Sequence, residues 1–121
     1  MTQTPDLTPH QILVAARTLL SNRSRWTQGA FAKTEKGRVI GPTEANAACF
    51  CAMGACRHIG GDTQVAHQAE DALDRAAFAK FGDTDQNVVC IVGVNDELGY
   101  EQTLQCFDAA IEETRECSSS S

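Results

Sequence analysis

The sequence predicts a single α-dominated (α+β) domain of about four helices, a small β-hairpin and one short extended segment. Three observations lead to this fold class. The chain has 121 residues, a length typical of one domain. Apolar residues recur at helical spacing over much of the chain, and one run, residues 87–94, is rich in β-branched side chains. We expect the globular domain to span residues 9–117, after a flexible segment 1–8 and before a disordered serine tail, residues 118–121.

The core of this domain is expected to consist largely of small side chains. Hydrophobic residues make up 42% of the chain, and 17 residues are alanine. Leu, Ile, Val and Phe together number 24. Helix contacts lined by alanine are therefore expected to do much of the packing. A chain of this size buries somewhat under roughly 70% of its unfolded surface, so the sequence predicts modest stability.

The first helix is predicted over residues 9–20. Thr8 fits its N-cap, and Gln11 completes a capping box three residues later. After this helix, residues 30–33 and 38–40 are predicted to pair as a small hairpin.

Two further helices are predicted from apolar periodicity and from their end signals. The second covers residues 44–59, where no charge occurs between Glu44 and Arg57, and Thr43 fits its cap. The third covers residues 63–80 and has Asp62 as its expected cap.

The C-terminal quarter is predicted to hold the extended segment and the last helix. Residues 87–94 are expected to form a strand or a buried extended segment, and residues 95–99 a turn. The last helix then continues to about Glu116 and presents an acidic outward face, whose residues include Glu101, Asp108 and Glu112.

The charge distribution is asymmetric. The chain has 16 acids and 10 bases, a net charge of −6, with +4 in residues 1–61 and −10 in residues 62–121. A nucleic-acid-wrapping function is disfavoured, because phosphate contacts supply most of that affinity. The two halves are expected to attract each other within one fold or across a homodimer, while the basic stretch 23–38 leaves contact with an anion open.

The chain has six cysteines, which is a lower density than in domains held together by disulfides. The sequence therefore predicts free thiols. Cys49, Cys51, Cys56 and His58 are all possible zinc ligands, but on one continuous helix they face different sides and do not converge. We therefore expect buried thiols, no metal and no cofactor, with Cys117 exposed. No cysteine lies in a pattern typical of a catalytic nucleophile, and the sequence predicts no enzyme.

Residues 1–10 lack the basic and apolar blocks of a signal peptide, and no run approaches the length of a membrane span. The sequence therefore predicts a cytoplasmic protein with no membrane association.

Two polar groups are candidate binding residues. Trp26, with Arg23 and Arg25 beside it, is either an exposed binding anchor or an aromatic plug at one end of the core, and the plug is favoured. Asn95 and Asp96 follow an apolar run and precede a helix, so they serve either as caps, which we favour, or as site residues.

The order of motifs resembles a family of small bacterial and bacteriophage proteins known only as a domain of unknown function. The resemblance rests on the segment Trp26-Thr27-Gln28-Gly29-Ala30, the helical motif Cys51-x-x-Gly54-Ala55 and the Asn95-Asp96 pair before the last helix. Phe50 departs from the tryptophan that the family often has before its helical cysteine. The resemblance implies a bacterial or phage cytoplasmic setting and no known catalytic residues.

Two functions follow as expectations. The first is a non-enzymatic interaction protein, monomeric or homodimeric, that occludes a partner through its acidic helical face, for example a host defence complex with a basic nucleic-acid-binding surface. The second is a small-ligand or nucleotide-binding protein with a pocket near Trp26 and Asn95-Asp96, whose occupation changes tryptophan fluorescence.

Overall fold

The computed structural model describes residues 7–82 and 90–119, with side chains up to residue 115. It confirms the α-dominated single domain with a small antiparallel sheet. The elements in chain order are α1 (Pro9–Leu20), β1 (Ala32–Lys33), β2 (Cys49–Phe50), α2 (Ala52–Gly60), α3 (Gln64–Phe81), α4 (Ile91–Gly93) and α5 (Tyr100–Ser119). A short 3₁₀ turn, Arg23–Arg25, follows α1, and a π-helical turn, Val94–Leu98, precedes α5.

The core lies between α1, α3 and α5, with α2 packed against α1 and α3. Phe50 and Phe107 are the largest fully buried side chains. The inner face of α3 is built mainly from alanines, as the composition predicts: Ala66, Ala69, Ala72, Ala76 and Ala77. In residues 7–82 and 90–119, no helix has the length and apolarity that crossing a bilayer requires.

Helices α1 and α3 agree closely with the sequence prediction. In α1 the Thr8 hydroxyl accepts a hydrogen bond from the Gln11 amide at 3.1 Å, and the Gln11 side chain accepts one from the Thr8 amide at 2.9 Å. This reciprocal pair satisfies two N–H groups that would otherwise lack a partner. In α3 the N-cap is Thr63, not Asp62, and its hydroxyl accepts from the Ala66 amide at 3.2 Å.

The second helix begins eight residues later than predicted, at Ala52, so Thr43 caps no helix. Residues 49–50 instead pair with β1, and the Lys33 carbonyl accepts a hydrogen bond from the Ala48 amide at 2.8 Å. The apolar, uncharged run that indicated one buried helix therefore contains a turn, a strand and a helix. A run of buried apolar residues fits a turn, a strand or a helix equally well, so the sequence pattern alone does not tell them apart. Here the pairing of residues 49–50 with the distant strand β1 decides the backbone conformation.

The predicted hairpin is present in reduced form. Lys33 and Val39 form one antiparallel bridge, and the Ala32 carbonyl accepts a hydrogen bond from the Ile40 amide at 3.1 Å. The main sheet partner of β1 is β2, which lies 16 residues away along the chain.

The predicted strand over residues 87–94 is wrong where it can be compared. Residues 87–89 lie outside the described part, and residues 91–94 are helical. The Ile91 amide donates to the Asp74 carboxylate at 2.9 Å, and Ile91 and Val94, one helical turn apart, are both fully buried. Tertiary packing has overridden β propensity here. The expected turn over residues 95–99 is mostly π-helical and ends at Gly99, whose φ is +116°.

Candidate binding site

Asn95 lies at the centre of a hydrogen-bonded cluster that joins three distant parts of the chain. Its Oδ1 accepts from Trp26 Nε1 at 2.8 Å and from the Ala52 amide at 3.1 Å. Its Nδ2 donates to the Thr27 carbonyl and to Asp96 Oδ1, both at 3.0 Å. Asn95 is 1% exposed, and both donors and both acceptor positions are used. We call these five residues the polar junction.

The structure corrects the capping role expected for the Asn95-Asp96 pair. A capping pair before a helix was expected to serve α5, which directly follows. Asn95 instead accepts from the first residue of α2, Ala52, which lies 43 residues earlier in the chain. Sequence position alone does not identify which helix end a side chain will reach.

The segment after Trp26 is held against the π-helical turn. Gln28 Nε2 donates to the carbonyls of Asn95 and Asp96 at 3.0 Å and 3.3 Å. The Gly29 amide donates to Asp96 Oδ1 at 3.1 Å, and its φ of +82° is a backbone conformation that glycine adopts readily. Asp96 therefore holds this loop through one carboxylate oxygen.

The start of α2 is in close contact with Phe31. Cys51 is the N-cap, and its sulfur accepts from the Gly54 amide at 3.3 Å, while its own amide donates to the Phe31 carbonyl at 3.2 Å. A Cβ atom built on Gly54 would lie 1.8 Å from the same carbonyl oxygen. Any larger residue at position 54 would force the start of α2 and the Phe31 backbone to move apart.

Trp26 makes its contacts inside the fold. Its ring meets the edge of Tyr100 with centroids 5.4 Å apart, and its N–H is bonded to Asn95. The Arg23 guanidinium lies 5.8 Å from the Trp26 ring centroid and 4.9 Å from that of Tyr100. The structure thus brings Trp26, Arg23, Asn95 and Asp96 into one neighbourhood.

A cavity of about 420 Å³ opens beside the polar junction. Its lining is mostly apolar and consists of residues 29–31, 39–42 and 51–53 with Val92, Asn95 and Asp96. Phe31, Val39 and Val92 line it and are 40%, 66% and 41% exposed. Asp96 is the charged residue of this lining, and its Oδ2 receives no hydrogen bond from the described residues. The cavity therefore combines an apolar wall with one available carboxylate oxygen.

The thiol of Cys51 also lines this cavity, and its environment keeps it protonated. Burial raises the pKa of Cys51, and the hydrogen bond from Gly54 only partly opposes that rise. Burial also raises the pKa of Cys56, helped by the nearby Glu70 carboxylate. A protonated, buried thiol is a poor nucleophile. The side chain of Cys117, expected to be exposed, lies outside the described part.

We expect a thiol reagent at pH 8 to modify Cys49 and Cys90, which are half-buried, before the buried Cys51, Cys56 and Cys106. Burial raises the pKa of Cys106 from 9.0 to about 11, so its thiolate fraction at pH 8 is about a hundredth of that of an ordinary cysteine. Reaction at the buried thiols should increase as the pH rises toward their pKa values. Mass spectrometry after timed alkylation gives the order, and Cys56 reacting as fast as Cys49 would contradict it.

The zinc alternative has no counterpart in the described residues, where His, Cys, Asp and Glu side chains form no group of three able to hold a metal ion. The cysteines of that alternative also lie on different elements, since Cys49 is in β2 and Cys51 caps α2.

The acidic residues predicted to form a binding face are on α5, and none of them lines the cavity. Asp108 pairs with Arg17 of α1 at 3.0 Å, and Glu112 pairs with Arg115 at 2.7 Å. Glu101 is exposed. The two charged halves of the chain also meet at Arg57 and Glu70. Glu70 is 3% exposed, and its carboxylate accepts hydrogen bonds from Arg57 Nε at 2.9 Å and from Arg57 Nη2 at 3.3 Å.

Arg25 lies apart from the polar junction, on a second cavity with Lys36 and Arg38. Gly54 and the lining residues 39–42 were not proposed as site residues from the sequence, whereas Gln28 was expected to fix its loop by hydrogen bonds and does so. The Cys-x-x-Gly spacing was a signal for Gly54, because a glycine in the first turn of a helix has low intrinsic propensity and indicates a close contact.

Comparison with protein-family models finds a match over most of the chain. A model of DUF6197, a family of unknown function, covers residues 4–113. No curated protein and no solved structure matches the chain.

Proposed function

The chain belongs to the DUF6197 family of unknown function, and from this premise we propose that it is a non-enzymatic binding protein for a small ligand. The ligand occupies the cavity beside the polar junction. The observation that supports this is the apolar cavity of about 420 Å³ with the Asp96 carboxylate in its wall. A volume of roughly 300–1,000 Å³ is usual for small-molecule sites.

The lining defines the chemistry of the ligand. Side chains such as Phe31, Val39 and Met53 favour an apolar body on the ligand, and Val39 is 66% exposed in this lining. Asp96 Oδ2 is an acceptor only, so it favours a cationic or N–H-bearing group on the ligand. We therefore propose an apolar molecule with one amine-like group.

The acidic face of α5 is the second candidate, and it remains a prediction. Two of its three named acids, Asp108 and Glu112, form ion pairs with arginines of the same chain on its surface. Exposed charges engaged in this way have less attraction left for a partner with a basic nucleic-acid-binding surface. This weighs in favour of the cavity.

We also propose a reducing, cytoplasmic compartment, which fits the bacterial or phage setting that the family resemblance implies. Support comes from the cysteines between residues 49 and 106, all five of which are free thiols.

We expect benzylamine to bind in the cavity about tenfold more tightly than benzyl alcohol, which has the same ring without the charge. Backbone amide shifts in ¹⁵N NMR titrations should concentrate on residues 29–31, 51–53 and 92. Asp96→Asn should remove the preference for the amine, because an amide oxygen still accepts from Gly29 and Asn95 but carries no charge.

The matched control is Glu97→Gln, which removes one charge from the neighbouring exposed position and should leave the preference intact. Melting temperatures of both variants establish that they are folded. The proposal would be wrong if benzoate shifted the same amides as strongly as benzylamine, or if the shifts lay mainly on the α5 face.

A further inference from the structure

A second cavity lies along the segment that joins β1 and β2. It has a volume of about 850 Å³ and is lined by Arg25, the turn 34–38 and residues 45–48. The turn is fixed by hydrogen bonds from the Gly37 amide to the Thr34 carbonyl and from the Arg38 amide to the Thr34 hydroxyl, at 2.9 Å and 3.2 Å. We call this cavity the basic groove. It shares no lining residue with the cavity beside the polar junction.

The basic groove concentrates cations that have no acidic partner among the described residues. Arg25, Lys36 and Arg38 line it, and none of them forms an ion pair with the described residues. One acid, Glu35, is on the same turn and is exposed. Four other arginines of the chain pair with carboxylates: Arg17, Arg57, Arg75 and Arg115.

The groove is basic in a chain in which acids outnumber bases 16 to 10. Four arginines elsewhere pair with carboxylates, and three of the cations that form no ion pair with the described residues line this one cavity. Like charges in one groove repel one another, and an anion that enters the groove removes that repulsion.

We propose that the basic groove binds a small phosphate-bearing molecule. Two guanidinium groups offer planar pairs of N–H donors that match phosphate oxygens, and the lysine adds a point charge. Asn46 supplies a further polar side chain in the lining. The net charge of −6 opposes the approach of a long polyanion, whereas a short ligand contacts only the groove. This site is independent of the proposed function, because it lies in a different cavity.

The test uses the full chain at low ionic strength, with inorganic pyrophosphate and ATP as probes and no divalent cation. Amide shifts in ¹⁵N NMR should concentrate on residues 34–38 and 45–48. The double variant Lys36→Gln/Arg38→Gln should weaken pyrophosphate binding by about tenfold or more, because two charge-assisted contacts are lost. Both side chains are exposed, so the variant should remain folded.

Lys80→Gln is the matched control. It removes the same kind of charge from an exposed position on α3 outside the groove, and it should change binding by less than twofold. Equal affinities for pyrophosphate and ATP support recognition of phosphate alone, and tighter binding of ATP supports recognition of a nucleotide.

Three results would overturn the proposal. The first is the absence of shifts at residues 34–38, and the second is an equal loss of affinity in Lys80→Gln and in the double variant. The third is tighter binding of a single-stranded 12-nucleotide DNA than of ATP with a steeper salt dependence, because that result indicates a polynucleotide partner.

Discussion

Gly54→Ala is expected to destabilise the protein by about 3 kcal/mol or more, and to abolish cooperative unfolding if the remaining stability is smaller. The added methyl would lie 1.8 Å from the Phe31 carbonyl oxygen, which is backbone and cannot rotate away. The same carbonyl accepts the Cys51 amide, so moving it also disrupts the N-terminus of α2. Urea unfolding followed by circular dichroism measures the effect.

Helix propensity alone predicts the opposite change in stability, because alanine is favoured over glycine inside a helix by about 1 kcal/mol. A loss of stability in Gly54→Ala therefore reports the close contact with Phe31. Gly60→Ala in the same helix is the matched control. Its methyl would lie 2.7 Å from the end of the Ile12 side chain, which can shift, and 3.2 Å from the Ala66 Cβ, which needs only a small displacement, so its stability should stay within about 1.5 kcal/mol of the parent. Equal stability of the two variants would show that α2 does not approach Phe31 as closely as described.

Asn95→Ala is expected to cost about 3–5 kcal/mol, because it leaves several polar groups without partners and each buried one costs about 1–3 kcal/mol. The groups are the Trp26 Nε1, the Ala52 amide and the Thr27 carbonyl. Chemical unfolding measured by both circular dichroism and tryptophan emission gives the value.

Two further variants define what Asn95 contributes. Asn46→Ala removes an exposed asparagine and should change stability by less than about 0.5 kcal/mol. Asn95→Asp keeps the oxygen that accepts from Trp26 and Ala52 but places a second carboxylate beside Asp96, so repulsion between like charges should make it destabilising. A stable Asn95→Ala variant would argue that the polar junction is not a structural centre.

The helical part of the fold was predictable because its signals are local. The capping box of Thr8 and Gln11, the apolar periodicity of α3 and the glycine that ends α2 at position 61 all act within a few residues. The beginning of α2 was not predictable in the same way. It depends on the pairing of Phe50 with Ala32 and on a cap from Asn95, both of which are long-range.

The candidate site was identified in part. Trp26, Asn95 and Asp96 were selected from the sequence, and the structure places them together. Their relation to Ala52 and to the cavity was not visible, because no local pattern shows that segments 26–31, 51–54 and 92–96 meet. The helical state of Ile91 was missed for a related reason, since its neighbours along the chain favour a strand and Asp74 of α3 provides the cap.

The hydrogen bond between Trp26 and Asn95 also gives the protein a built-in optical reporter. Trp26 is the single tryptophan of the chain, and its indole N–H donates a hydrogen bond to Asn95, which contacts all three segments of the polar junction. Its emission therefore follows the docking of those segments, while far-ultraviolet circular dichroism follows the helices. A loss of the first signal before the second during unfolding would reveal a state in which the helices persist after the segments have separated.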